Sequence, residues 1–299
     1  MNFRRIAGAT GLALLSLVVM LGVFETPSSA SKQSLIVGSK NGVESRTVGE
    51  IYALALEHAG YRVVRKPNVA NSVIFSATQK GQVDVYPDYT GTIVETYLKQ
   101  DGRGKSSVQM AKMAKAGVKK KDLTTFDYAP GDDRQGIGMP TKTARKYHIN
   151  NLSDLQKKAP QLRFASQGEF EKRVDALPAM ENAYGKYRFK SLRDYDASLL
   201  YQIMKQGKAD AAPVSTTDGQ LATKRFTLIK DNKGIWPPYN LVPVANIKAT
   251  KRCPKMARTL NKVDAKLTNR ELTRLNRKVS VDGQNYRMVA RNWYRQNMN

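Results

Sequence analysis

Two ten-residue stretches, Gly81-Gln82-Val83-Asp84-Val85-Tyr86-Pro87-Asp88-Tyr89-Thr90 and Gly207-Lys208-Ala209-Asp210-Ala211-Ala212-Pro213-Val214-Ser215-Thr216, share the pattern G-x-x-D-x-x-P-x-x-T. In each, the glycine ends a helix, an apolar strand follows and the proline closes that strand. Both copies then lead to a further helix, opening at Thr92 and after Asp218-Gly219. Unless two similar junctions coincide by chance, the repeat predicts two similar lobes with equivalent strand ends. In open α/β sheets, ligands sit beyond the carboxyl ends of the strands, where N–H groups at helix starts are free. Two such edges facing each other make a cleft.

Working outward, Leu35-Ile36-Val37 reads as a buried strand ending at Gly38-Ser39. Ser45 caps a helix whose apolar positions Val48, Ile51, Tyr52, Leu54 and Ala55 keep a 3.6-residue period, and Gly60 stops it. A strand at Tyr61–Val64, a helix at Ser72–Lys80 and a strand at Val83–Tyr86 complete a parallel α/β lobe. The rhythm restarts after Gly136. Strands are expected at Ile137–Met139, Leu162–Ala165, Ala209–Ala212 and Leu241–Ile247, with helices near Asp175–Tyr184 and Ser198–Gln206. The last fifty residues read as helical throughout.

The N-terminus has a different character. Arg4 and Arg5 precede an apolar stretch from Ile6 to Phe24, and Pro27-Ser28-Ser29-Ala30 supplies small residues for cleavage. That order describes a secretory signal peptide, residues 1–30, with an uncleaved anchor as the alternative. The mature chain then starts near Ser31 and works outside the cytoplasm, at the cell surface or in the periplasm. No Cys follows the apolar stretch to carry a lipid. The single thiol, Cys253, excludes an internal disulfide, and with only two His residues a zinc site is not expected. No cofactor and no metal are expected.

The chain has 299 residues and a net charge of +25, which becomes +24 once Arg4, Arg5 and Glu25 leave with the signal peptide. The charge is densest from Lys248 to Asn299, where 14 Lys/Arg face Asp264, Glu271 and Asp282. Interleaved Met256, Leu260, Val263 and Leu267 make a solvated helix face the reading there. No RNP-like, zinc-finger or helix-turn-helix pattern supports nucleic acid as a partner.

Four blocks carry a resemblance: Val37-Gly38-Ser39-Lys40-Asn41, Asp84-Val85-Tyr86-Pro87-Asp88-Tyr89-Thr90-Gly91-Thr92, Thr217-Asp218-Gly219 and Pro237-Pro238-Tyr239. In order and spacing they resemble the glycine betaine/carnitine/choline-binding proteins of osmoprotectant ABC importers, from about Leu35 to the C-terminus. The resemblance implies a type II periplasmic-binding-protein fold, two α/β lobes joined by two crossing strands. The expected lobes are 31–137 with 241–299, and 138–240, with crossings near Gly136–Pro140 and Tyr239–Val244. It further implies a tyrosine box around a trimethylammonium group, which has no N–H to donate and is held by the negative faces of aromatic rings. Tyr89 and Tyr239 match cage positions, and Thr92 a polar contact. Lys40 and Arg173 fall where the family places a carboxylate-binding cation, Arg173 with a planar fork suited to bidentate bonding. Two cage tyrosines are replaced, by Gln135 and Ser215. Each lost ring forgoes about 0.5–2 kcal/mol, so the pocket is expected to favour a more polar or larger ligand, such as a related amine or a betaine with extra donors.

The implied function is capture of a quaternary-ammonium osmoprotectant or related amine in the cleft, and delivery to an ABC permease in the membrane, as a monomer. No G-x-S-x-G elbow, Walker loop, dinucleotide fingerprint or metal-ligand pair points to an enzyme. The alternative is a basic envelope-binding or adhesive surface protein, whose retention would depend on salt.

Overall fold

The computed structural model describes residues 33–168 and 170–298. The expected signal peptide lies outside them. Ten strands run through the described residues: β1 (Ser34–Lys40), β2 (Arg62–Val69), β3 (Val85–Tyr89), β4 (Leu123–Thr125), β5 (Gln135–Pro140), β6 (Arg163–Ser166), β7 (Ser191–Asp194), β8 (Ala212–Ser215), β9 (Phe226–Ile229) and β10 (Leu241–Asn246). A five-stranded sheet has the order β2-β1-β3-β10-β4. Within it, β1 is parallel to β2 and β3, and β10 runs antiparallel between β3 and β4. The second lobe holds the antiparallel sheet β8-β5-β9 and the parallel pair β6-β7, joined to it through a Phe164–Ala211 bridge.

The two copies of the repeat do the same local work. Gly81 and Gly207 turn the chain with φ of +73° and +69°, a region that costs residues with a Cβ. Asp84 then accepts from Ile36 N at 2.8 Å, and Asp210 from Arg163 N at 2.9 Å, each tying the neighbouring parallel strand. Arginines complete both carboxylates, Arg252 at Asp84 and Arg163 at Asp210. The prolines, however, do not end their strands. Pro87 lies inside β3 opposite Pro243 of β10, and Pro213 lies inside β8. Facing prolines form a pair that needs no N–H, so the antiparallel ladder passes through them intact. The later strand correspondingly covers Ala212–Ser215 rather than Ala209–Ala212.

Apolar clusters cover both faces of the first sheet. On one side, helix Val43–His58 packs with the C-terminal helices Met256–Asp264, Asn269–Ser280 and Tyr286–Asn297 around Tyr52, Leu260 and Trp293. On the other, Ile74, Met110, Val118 and Val242 pack together. Ser45 does not cap its helix, which begins earlier at Val43 after Gly42. Its hydroxyl instead accepts from Lys40 N at 2.9 Å, fastening the end of β1.

The chain changes sheet twice, in the segments between β4 and β5 and between β9 and β10. These segments pair at Asp132 and Asn240, with Asp133 N to Tyr239 O and Leu241 N to Gly131 O both at 3.0 Å. The first crossing therefore precedes the expected Gly136–Pro140. Those residues are the body of β5, paired with β8 and β9, and a boundary between 137 and 138 falls inside that strand. Likewise Val242–Val244 sits within β10, in the first sheet.

Candidate ligand cleft

A cavity of about 850 Å³ opens where both lobes and the crossing meet. The first lobe contributes the end of β1, the start of helix Val43–His58, the end of β3 and the π-helical segment Thr92–Tyr97. Gln135 at the start of β5 and Ser215 at the end of β8 face each other in register in the second lobe. All seven residues singled out in the sequence, Lys40, Tyr89, Thr92, Gln135, Arg173, Ser215 and Tyr239, line this one cavity.

Their surroundings differ. Lys40 is buried and ion-paired with the fully buried Asp88, and its Nζ lies 5.7 and 5.9 Å from the ring centroids of Tyr89 and Tyr97. Tyr89 donates its phenol to Glu44 Oε1 at 2.8 Å, so the sheet holds one end of the ring and a helix the other. Tyr239 donates to Glu95 Oε2 at 2.5 Å. The Tyr239 backbone is fixed by Asp132 Oδ1 at 2.9 Å. Gln135 Nε2 bonds Asp175 O at 3.2 Å, next to Trp236 Nε1 at 2.9 Å on the same oxygen. Arg173 is half-exposed, and its fork is paired with both carboxylate oxygens of Asp175.

Several lining residues had no reading as ligand contacts in the sequence. Among them Tyr97 and Tyr201 add aromatic faces to those of Tyr89 and Tyr239, as does Trp236, which its place beside Pro237 in the sequence offered as core filling or as cleft lining. The i→i+5 bond from Leu98 N to Ile93 O, at 3.0 Å, closes a wide turn that sets Tyr97 one turn from Thr92. That spacing is a signal only after the π-helix is known. Trp236 belongs to the core of the second lobe and to the cleft wall together.

Five carboxylates, Glu44, Glu95, Asp133, Asp175 and Asp218, also line the cavity, against two cations. Loss of water around Glu44 raises its carboxyl, opposed by hydrogen bonds from Tyr89, Asn276 and Thr217. Asp133 is pushed well above the usual carboxylate range, first by desolvation and then by the nearby Glu44 charge, against the Thr217 hydroxyl at 2.6 Å. Desolvation also raises Asp218, which accepts from Ser215 N at 3.0 Å and from Tyr201 at 2.9 Å. Among the described residues no three His, Cys, Asp or Glu side chains converge to hold a metal ion. Aromatic faces and carboxylates on both sides of a cleft suit an organic cation.

Residues 33–296 match the family model for the substrate binding domain of ABC-type glycine betaine transport system. The chain belongs to this family. The family is that of the substrate-binding parts of ABC-type glycine betaine transport systems, transport proteins rather than enzymes. Such binding proteins work outside the cytoplasm. Among similar proteins, the glycine betaine-binding protein YehZ of Escherichia coli (strain K12) is 28% identical over 291 residues, covering 93% of this chain and 95% of the relative. The ergothioneine transport permease/ergothioneine binding protein EgtU of Helicobacter pylori (strain G27) is 28% identical over 288 residues, 95% of this chain. Here the chain spans about half of the relative's length, 52%. A crystal structure of a glycine betaine/carnitine/choline ABC transporter superposes with a TM-score of 0.80 at 26% identity, covering 88% of this chain and 98% of that one. The two-lobed fold of this substrate-binding family thus agrees with the expectation from the sequence blocks.

Proposed function

We propose that the cleft captures a trimethylammonium compound with a polar body, a betaine with extra donors or a related amine, and hands it to an ABC permease. The observation that carries this reading is the meeting of Tyr89, Tyr97, Tyr201 and Tyr239 with Glu44, Glu95 and Asp133 in one cavity between the lobes. Rings hold the quaternary head through their negative faces. Carboxylates too distant for contact still favour a positive charge, because the half-closed cavity screens less than bulk water. Lys40 and Arg173 take the ligand's carboxylate where it has one, and Thr92, Gln135 and Ser215 contact its polar body. Gln135 and Ser215, hydrogen-bonding groups at expected cage positions, support a ligand more polar than glycine betaine. The name of the Helicobacter pylori relative points the same way, since ergothioneine is a trimethylammonium betaine with a sulfur-bearing imidazole ring.

In this reading the lobes close about the paired segments at Asp132 and Asn240, residues 1–30 are removed on export, and the mature monomer meets its permease at the outer membrane face. The test is calorimetric titration of the mature chain with glycine betaine, choline, carnitine and ergothioneine. Binding of at least one trimethylammonium compound, weakened by Tyr89→Ala, is expected. Heat from none of the four would end the proposal, and tight glycine betaine binding would end the preference for a more polar ligand.

A further inference from the structure

Asn276 lies in helix Asn269–Ser280 and donates through Nδ2 to Glu44 Oε2 at 2.5 Å and to the Thr217 carbonyl at 2.9 Å. Two acceptors on that nitrogen fix the orientation of the amide, because a flip would set oxygen against oxygen. The amide oxygen is left with no donor, although the residue is only 5% exposed and lines the cavity. Buried acceptors are normally satisfied, so this one marks a corner that lacks a donor.

Three hydroxyl donors of the cleft wall are engaged. The Thr217 hydroxyl serves Asp133 at 2.6 Å, the Tyr89 phenol serves Glu44 at 2.8 Å, and the Tyr201 phenol serves Asp218 at 2.9 Å. What remains at this corner is the unpartnered amide oxygen of Asn276, beside the carboxyls of Glu44 and Asp133. A trimethylammonium head has no N–H and cannot meet it. Helix Val43–His58 brings Glu44, the crossing brings Asp133, the loop after β8 brings Thr217, and the C-terminal helices bring Asn276. A donor seated here would therefore touch both lobes at once.

We propose that Asn276, with Glu44 and Asp133, forms a second subsite that reads N–H groups on the ligand, so that the preferred ligand joins a quaternary head to an N–H-bearing polar end. This rests on the function proposed above and adds to it the residues that set specificity. A ligand bridging the two lobes stabilises the closed state by its differential contacts with it.

The experiment is calorimetric titration of the full mature chain with two probes, glycine betaine, which has no N–H, and ergothioneine, whose ring carries N–H. Wild type, Asn276→Ala and Asp133→Asn are compared, with melting temperatures of the free proteins recorded. Wild type is expected to bind ergothioneine at least tenfold more tightly, and Asn276→Ala to lower the ratio of the two affinities about tenfold, which is about 1.4 kcal/mol. Asp133→Asn keeps the shape of the corner and decides the matter if Asn276→Ala melts far below wild type. A ratio unchanged in the folded variants, or a wild type that prefers glycine betaine, overturns the subsite while leaving capture of trimethylammonium compounds standing. Wild type that binds neither probe overturns the subsite, and wild type that binds none of glycine betaine, ergothioneine, choline and carnitine overturns both.

Discussion

The packing of Gly91 against Tyr239 gives a sharp test of how the cleft is built. A Cβ placed on Gly91 would lie 2.3, 2.4 and 2.5 Å from Cδ2, Cε2 and Cγ of Tyr239. Carbon atoms pack at about 3.5–4.0 Å, so the ring must retreat by more than about 1 Å. The atoms struck run along one side of the ring from its attachment carbon, so no flexible end can swing aside. Its phenol is held by Glu95 at 2.5 Å, and a retreat of that size takes the pair beyond good hydrogen-bond geometry. Gly91→Ala is therefore expected to cost about 1–3 kcal/mol of stability, the usual range for forced overpacking. Displacing one ring from the head group forgoes about 0.5–2 kcal/mol, a twofold to thirtyfold loss of affinity for a trimethylammonium ligand. Urea titration and calorimetry measure the two effects. In a Tyr239→Ala background there is no ring to strike, so the same substitution should cost little, giving a coupling of about 1–3 kcal/mol. Equal costs in both backgrounds would refute the packing argument.

Three further outcomes are expected. Tyr89→Ala should weaken a trimethylammonium ligand about twofold to thirtyfold, while Tyr89→Phe, which keeps the ring and loses only the Glu44 bond, should weaken it less; an unchanged affinity in calorimetry removes Tyr89 from the site. Glu44, Asp133 and Asp218 have carboxyls raised chiefly by desolvation, so a bound cation expels protons and affinity rises with pH through that raised range; titrations in two buffers of different ionisation heat should differ, and identical heats would contradict this. Desolvation also holds the Asp264 carboxyl, bonded to Tyr52, well above its usual range, so the folded state binds that proton more tightly than the unfolded chain. Stability from this group is present at low pH and falls as pH rises past the unfolded value of about 3.9. Asp264→Asn should flatten that fall and cost less than about 1 kcal/mol at neutral pH, and a loss above about 2 kcal/mol in urea melts would refute it.

Much of the fold was legible because its signals are local. The glycines at 81 and 207 and the aspartates three residues on mark the same strand entry in each lobe, and both aspartates tie a neighbouring parallel strand. Ser45 misled, since a hydroxyl near a helix start reads as a cap, whereas tertiary structure hands it the amide of Lys40. The prolines misled for a similar reason. Whether Pro87 ends a strand depends on what faces it, and Pro243 is 156 positions further along the chain. In the cleft, Tyr89, Thr92 and Tyr239 stood in recognisable blocks. Glu44, Asp133 and Asn276 are brought together from segments far apart, and no spacing in the sequence marks such a meeting.

The charge of the chain and the charge of its cleft oppose each other, and the separation has a physical basis. A net charge of +25 would repel an organic cation at long range. Exposed charges are screened beyond about 8 Å at physiological ionic strength, so most of that repulsion ends in the surrounding solution. Inside the cavity, five carboxylates face two cations, and both cations are already engaged, Lys40 by Asp88 and Arg173 by Asp175. Within the cleft, then, a bound cation meets Glu44, Glu95, Asp133 and Asp218, whose partners there are neutral donors and whose ionised form the cation favours. The surface is free to be basic, suited to an anionic envelope, without cost to capture of a cation. It follows that salt should affect the two differently, weakening adhesion to an anionic surface steeply while changing affinity in the cleft little.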